Sequence, residues 1–165
     1  MFTRFRAVFL ALLVTVLPAM SIAQGTAVPF GGLKHDSSQP VEVTADKLQV
    51  NQDNGSAVFI GNVVIGQGTM RLSANKVVVE YTQGANRKIS KLHATGNVIL
   101  VNGTEAAEAS EAVYTIDNGN IVMIGNVILT QGQTALSSQR MVVDLKTGKA
   151  TLEGRVKTIL QTGGN

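Results

Sequence analysis

A short motif that returns at a nearly constant period constrains this sequence more than any other feature. Three copies read Gly-Asn-Val and a fourth reads Gly-Arg-Val, and their glycines lie 35, 29 and 29 residues apart. Repetition at such a period is typical of folds that stack one supersecondary unit several times. The motif glycines are Gly61, Gly96, Gly125 and Gly154.

A second element and two series of turn signals recur at the same spacing as this motif. The second element contains a small residue, Ala or Ser, which we call the anchoring residue. Nine residues after each anchoring Ala or Ser, and six residues after each of the first three motif glycines, come pairs such as Asn118-Gly119 and Asn102-Gly103. Asn-Gly between alternating apolar residues indicates a hairpin, because both positions tolerate positive φ. Each 29-residue unit therefore predicts two passes of the chain, each ending at a turn. The anchoring residues are Ala45, Ala74, Ala109 and Ser138.

The position of the motif within each pass explains why glycine interrupts an apolar run. Glycine inside a strand marks a bulge, a bend or a close backbone approach. Each pass is therefore expected to be two short strands joined by a bend. Four strands in each of four units predict an all-β fold of about sixteen short antiparallel strands, arranged as two stacked sheets. The predicted bends are Gly61, Gly96, Gly125 and Gly154.

Alternation of apolar residues along each pass assigns the face that is expected to line the interior. Val64, Ile99 and Ile128 blur this alternation, because they are apolar and stand beside inner residues. The predicted inner residues are Val41, Val43, Val63, Ile65, Met70, Leu72, Val77, Val79, Val98, Leu100, Val127 and Leu129.

In residues 104–112 the local sequence pattern and the repeat predict different secondary structures. Glu105, Glu108 and Glu111 lie at helical spacing among strong helix formers, which taken alone favours a surface helix. The repeat frame, however, aligns Ala109 with Ala74. We therefore interpret this segment as a strand.

The first 23 residues have the layout of a cleaved secretory signal. Arg4 and Arg6 precede a short apolar stretch, and the small residues Ser21 and Ala23 precede the predicted cleavage site after Ala23. Such cleavage predicts an exported protein and lowers the formal net charge from +3 to +1 by removing two arginines. The basic composition is therefore poor evidence for a nucleic-acid partner. An uncleaved N-terminal anchor is the alternative.

The remaining boundaries follow from composition. Residues 24–40 are rich in Gly, Pro and Ser without periodicity, and we interpret them as a flexible lead-in. The repeat domain is predicted to span residues 41–161, followed by a short tail at 162–165. Because the chain has no cysteine, an exported domain must be held by its core and its backbone ladder alone.

No arrangement of residues indicates catalysis, metal binding or a cofactor. The two histidines, His35 and His93, have no acidic or cysteine companions at ligand spacing. The sequence has no nucleophile elbow and no phosphate-binding loop. It therefore favours a binding or structural protein over an enzyme.

A stacked array of this kind leaves an unpaired edge at each end. The opening strand, residues 41–45, and the closing strand, residues 149–161, carry no recognisable cap. Pairing the end of one molecule with the start of another satisfies both edges and produces open filaments. We therefore predict head-to-tail self-assembly.

Three segments, "VEVTADKLQV", "GSAVFIGNVVIGQGTMRLSANKVVVEY" and "LHATGNVILV", resemble the LptA/OstA-like family of periplasmic lipopolysaccharide-transport bridge proteins over about residues 40–160. The resemblance implies a twisted open β-jellyroll that carries lipopolysaccharide, with the acyl chains of lipid A between the sheets and against the predicted inner residues. It also implies bridging from an LptC-like inner-membrane protein to the N-terminal domain of an LptD-like outer-membrane translocon.

Two questions stay open at this level. Arg87, Lys88 and Lys91 cluster at a six-residue insertion in the second unit, and they either form a basic rim for lipid A phosphates or solubilise a strand face. Rival classes for the whole chain are a membrane-anchored LptC-like relative, which would retain residues 1–23, and a purely structural β-repeat protein with a filled core.

Overall fold

The computed structural model describes residues 25–29, 38–53 and 55–159, and the regular elements in these ranges are all strands. The predicted signal, residues 24 and 30–37 of the lead-in, residues 160–161 of the predicted repeat domain and the C-terminal tail lie outside the described residues. Within these ranges the structure has no helix that could cross a membrane. The strands are β1 (Thr26–Pro29), β2 (Glu42–Thr44), β3 (Lys47–Val50), β4 (Ala57–Gln67), β5 (Met70–Tyr81), β6 (Ile89–Asn102), β7 (Glu105–Thr115), β8 (Asn120–Gln131), β9 (Thr134–Asp144), β10 (Lys149–Glu153) and β11 (Lys157–Ile159).

The strands form one antiparallel sheet with a simple order. Its path runs β1-β10-β9-β8-β7-β6-β5-β4-β2, while β3 also pairs with β4 and β11 also pairs with β9. Successive strands from β4 to β10 are neighbours because turns with glycine in the positive-φ region join most of them, as at Gly68, Gly103 and Gly132. The all-β antiparallel class predicted from the repeat is confirmed.

Each of the strands β4 to β9 bends at one level, where the register of the sheet shifts. Opposite Asn75 of β5, strand β4 has two residues, Gly61 and Asn62. Two residues against one is a β-bulge, which bends a strand. Gly61 has a φ of 79° and Asn62 a φ of 44°, a region that glycine and asparagine tolerate better than other residues. A pair of successive residues with positive φ recurs at Gly96-Asn97, Gly125-Asn126 and Gly154-Arg155.

The bends divide the sheet into two layers that face each other. Tyr114 Oη in one layer donates a 3.0 Å hydrogen bond to Gln67 Oε1 in the other, although their strands β7 and β4 are not neighbours in the sheet. Burial raises the pKa of Tyr114 to about 12. The inner residues of both layers belong to a single hydrophobic core. Layer A comprises residues 26–29, 47–50, 57–60, 76–81, 89–95, 111–115, 120–124, 140–144 and 149–153, and layer B comprises 42–44, 63–67, 70–74, 98–102, 105–109, 127–131, 134–138 and 157–159.

The predicted number of about sixteen strands is wrong. Strands β4 to β9 keep their pairing on both sides of the bend, so they remain single strands of 11 to 14 residues. For the same reason the two expected sheets are joined as one. Residues 105–115 form β7, which confirms the strand interpretation of the glutamate-containing segment.

Strand β1 corrects the interpretation of the lead-in and of the closing edge. Residues 26–29, expected to be structureless, pair antiparallel with residues 149–152 of β10. The edge of β10 is therefore covered by the chain's own N-terminal strand. The expected closing strand is also divided, because β11 pairs with β9 in layer B and the bend at Gly154 separates it from β10.

The bend glycines and the turn glycines provide a matched stability test. A Cβ on Gly96 would lie 2.8 Å from Asn75 Nδ2 and 3.1 Å from Asn75 Cβ, whereas a Cβ on Gly103 would meet nothing within 4 Å. Both glycines have positive φ, which costs alanine about 1–2 kcal/mol. We expect Gly96→Ala to lower the free energy of unfolding by about 1 kcal/mol more than Gly103→Ala, because Asn75 must also move. Equal losses in urea denaturation would show that close packing at the bend contributes nothing.

Candidate functional site

The interior of the folded sheet opens at the β3 end into a cavity of about 450 Å³, which we call the apolar mouth. Strand β3 lies at the edge of layer A, and among the described residues its only strand partner is β4. Its inward side chains therefore remain accessible, with Leu48 53% and Val50 66% exposed. The cavity is lined mainly by apolar side chains, with Arg87 and several residues of the β3–β4 turn at its border, and the full lining is Leu48, Val50, Asn51, Gln52, Gly55, Ser56, Ala57, Phe59, Tyr81 and Arg87.

Two rows of inward side chains lead from the apolar mouth into the core. Leu48 pairs with Phe59 and Phe59 with Val77, while Ala57 pairs with Val50 on one side and with Val79 on the other. Val77 and Val79 are 0% and 1% exposed, because their strand has a neighbour on each side. The wall of the mouth is thus continuous with the packed interior.

Arg87 provides a positive charge at the rim of the apolar mouth. Its guanidinium carbon lies 5.4 Å from the centroid of the Tyr81 ring, a cation–π distance. Its Nη2 donates a 2.8 Å hydrogen bond to the Gly55 carbonyl oxygen. An arginine held in this way has further N–H donors for an anionic group that lies beside the cavity.

The two other residues of the predicted basic rim do not line the mouth. Lys91 Nζ forms an ion pair with Glu80 Oε2 at 3.4 Å on the outward face of layer A, where both side chains are more than 40% exposed. Lys88 is exposed in the loop between β5 and β6. Of the predicted cluster, the structure therefore places only Arg87 beside an apolar cavity.

The twelve predicted inner residues all belong to the hydrophobic core or pack against it. Ten of them are at most 4% exposed, and the other two, Val41 and Val43, are partly buried. None of the twelve lines the apolar mouth. They contact one another across a filled interior, so a ligand would reach them only if the two layers separated.

A polar row borders the interior where the strands of layer B lie farthest from the bends. Gln67 and Asn102 are buried, and Glu105 Oε1 accepts a 3.1 Å hydrogen bond from Gln131 Nε2. Within the described part of the chain, Glu105 Oε2 is buried without a hydrogen-bond partner. Burial raises the pKa of Glu105, and the hydrogen bond from Gln131 opposes this shift less strongly. The stabilising contribution of Glu105 is therefore greatest at low pH and is lost as pH rises through its folded-state pKa.

His93 has an acidic neighbour that the sequence spacing did not reveal. Its Nε2 lies 2.8 Å from Glu111 Oε1 on the outward face, because the register of β6 with β7 brings these side chains together. Over the described ranges, no three His, Cys, Asp or Glu side chains lie close enough to hold a metal ion.

An antiparallel sheet, bent by a repeated glycine motif and folded over an apolar interior with one open end, places this chain among repeat-built, open-ended β-sandwich proteins. Residues 42–149 match the family model described as LptA/(LptD N-terminal domain) LPS transport protein. The chain belongs to this lipopolysaccharide-transport family, which confirms the resemblance carried by its motifs.

Curated relatives share parts of the chain at moderate identity. An uncharacterized protein of Rhizobium meliloti (strain 1021) is 29% identical over 115 residues, or 66% of this chain and 62% of the relative. The lipopolysaccharide export system protein LptA of Escherichia coli (strain K12) is 31% identical over 62 residues, 38% of this chain and 34% of that protein. LptA of Haemophilus influenzae is 30% identical over 83 residues, 50% and 46% of the two chains. The matched segment spans less than two thirds of each of these relatives.

A solved structure shares the fold. The crystal structure of LptH, the LptA-homologous periplasmic component of the lipopolysaccharide transport device of Pseudomonas aeruginosa, matches with a TM-score of 0.67. The match covers 77% of this chain and 99% of LptH at 20% identity. At this identity the comparison establishes the common all-β fold.

Proposed function

We propose that this chain is a periplasmic carrier of lipopolysaccharide that receives the acyl chains of lipid A at the apolar mouth. The observation that carries the proposal is an apolar cavity of about 450 Å³ at the open end of the interior, in a member of a lipopolysaccharide-transport family. Moving acyl chains from water into such a cavity is favourable by about 25 cal/mol for each Å² of apolar surface buried.

The chemistry of the mouth fits an amphiphile with an anionic head. Leu48, Val50 and Phe59 supply apolar contacts, and Arg87 supplies a charge at the rim for a phosphate group. The twelve predicted inner residues form the wall that acyl chains meet once the layers separate. The carrier performs no catalysis and needs no cofactor, so the direction of transport comes from an energised partner.

The same proposal includes assembly into a bridge between the membranes. The chain joins a second copy head to tail, an LptC-like inner-membrane protein at one end and the N-terminal domain of an LptD-like translocon at the other. The family description supports junctions between like folds, since it unites LptA with the LptD N-terminal domain.

Release of the carrier from the inner membrane depends on removal of residues 1–23, and N-terminal sequencing of the exported protein tests it. We expect a start at Gln24, because the small residues before this position fit signal cleavage. A mature protein that retains residues 1–23 would instead favour the anchored LptC-like alternative.

Photo-crosslinking to lipopolysaccharide tests the binding site with neighbouring residues on opposite faces. We expect a photoreactive residue at Leu48 or Phe59 to label lipopolysaccharide about tenfold more than one at Gln49 or Val58, since the first two face the mouth and the others face outward. Equal labelling from all four positions would contradict binding at the mouth. A gently purified protein that yields no lipid by mass spectrometry would favour the structural β-repeat alternative.

A further inference from the structure

The two edges of layer A differ in whether their inward side chains are covered. At one end β3 leaves Leu48 and Val50 exposed beside the apolar mouth. At the other end β1 covers β10, with Thr26 opposite Leu152 and Val28 opposite Ala150. The two rows of inward side chains that begin at the exposed residues Leu48 and Val50 cross layer A to β10. There they reach Leu152 and Ala150, which adjoin β1 and are 0% exposed.

Strand β1 occupies the position that a second copy would need for head-to-tail joining. The chain makes eight passes from the β2/β3 pair to the β10/β11 pair, so the first pass of a copy placed in line runs antiparallel to the last pass of its neighbour. Strands β3 and β10 both lie in layer A, and β2 and β11 both lie in layer B. In-line stacking therefore brings β3 of one copy to the edge of β10 that β1 already covers.

The residues of β3 fit this edge in the register that β1 uses. Placing Leu48 opposite Leu152 puts Val50 opposite Ala150, so that a leucine replaces Thr26 and a valine replaces Val28. The same register puts Lys47 opposite Glu153, which already pairs with Arg140. Strand β3 of a second copy thus offers the β10 edge more apolar surface than β1 does, and it adds a positive charge opposite Glu153.

Strand β1 is also weakly held compared with the strands it adjoins. It has four residues, whereas β4 to β9 have 11 to 14. Among the β1 side chains that the structure describes, Thr26 and Ala27 are exposed and Val28 packs against the core. Segments with few buried apolar contacts open at low free-energy cost.

We propose that β1 is a self-capping strand, which closes the β10 edge of a single molecule and is displaced by β3 of a second copy. The displacement step rests on the proposed head-to-tail assembly. Self-capping also protects an otherwise exposed sheet edge from unspecific pairing in the isolated molecule. Joining then becomes an exchange of one edge strand for another.

Full-chain variants that fix or release β1 test the proposal. Ala27→Cys with Thr151→Cys places two thiols on directly opposed residues of a chain that has no other cysteine, so oxidation fixes β1 and reduction frees it. Val28→Asp places a charge on the side chain that holds β1 against the core and releases the strand. Ala27→Asp, at an exposed position of the same strand, is the matched control.

The first measurement uses a synthetic peptide of residues 41–53, which carries β3, and does not depend on assembly. We expect Val28→Asp to bind this peptide at least about tenfold more tightly than the oxidised double-cysteine chain, because the edge is available in a larger fraction of molecules. Ala27→Asp should bind as the unmodified chain does. Equal binding by the oxidised and reduced forms would overturn self-capping, and no binding by Val28→Asp would overturn the displacement of β1 by β3.

The second measurement is sedimentation velocity over a range of concentrations. We expect the oxidised chain to stay monomeric where its reduced form assembles. Equal assembly of the two forms would overturn self-capping. If Val28→Asp binds the peptide but no form assembles, self-capping stands as a property of the single molecule and head-to-tail assembly fails.

Discussion

The two layers can face each other only because every pass of the chain bends at the same level, and this bend depends on a backbone that few residues adopt. At each glycine-containing corner two successive residues have positive φ. The glycine also lies against the side chain that follows the small anchoring residue of the neighbouring pass, where a Cβ would approach within about 3 Å. These neighbours are Asp46, Asn75, Ser110 and Gln139.

Further contacts at the corner connect this local geometry to the fold as a whole. The backbone N–H of Asp46 donates to the carbonyl of Gly61, and Asn62 Nδ2 donates to Asp46 Oδ2 at 2.8 Å. Because pairing resumes on both sides of each bulge, the sheet turns the corner without losing its ladder. One shared interior follows, filled by residues of both layers and accessible at the β3 end.

The repeat in the sequence predicts the elements that lie within it, but it does not show which strands lie at the edges of the sheet. The period predicted the strand at 105–115 against its local helical pattern, because alignment with an earlier unit outweighed propensity. The sequence does not reveal strand β1, because this strand is short, lies outside the repeat and pairs with β10, more than 100 residues away. The mouth residues Leu48 and Val50 follow the same alternation as core residues. They differ from them only because β3 is an edge strand, which a sequence pattern does not show.

We propose that apolar chains enter the interior from the β3 end while β1 closes the opposite end. Methyl NMR of the full chain with a fatty acid that carries a spin label at the end of its acyl chain tests this claim directly, because paramagnetic broadening falls steeply with distance. We expect the strongest broadening at Leu48 and Val50 and little at Val28 and Leu152. Equal broadening at both ends, or stronger broadening beside β1, would contradict it.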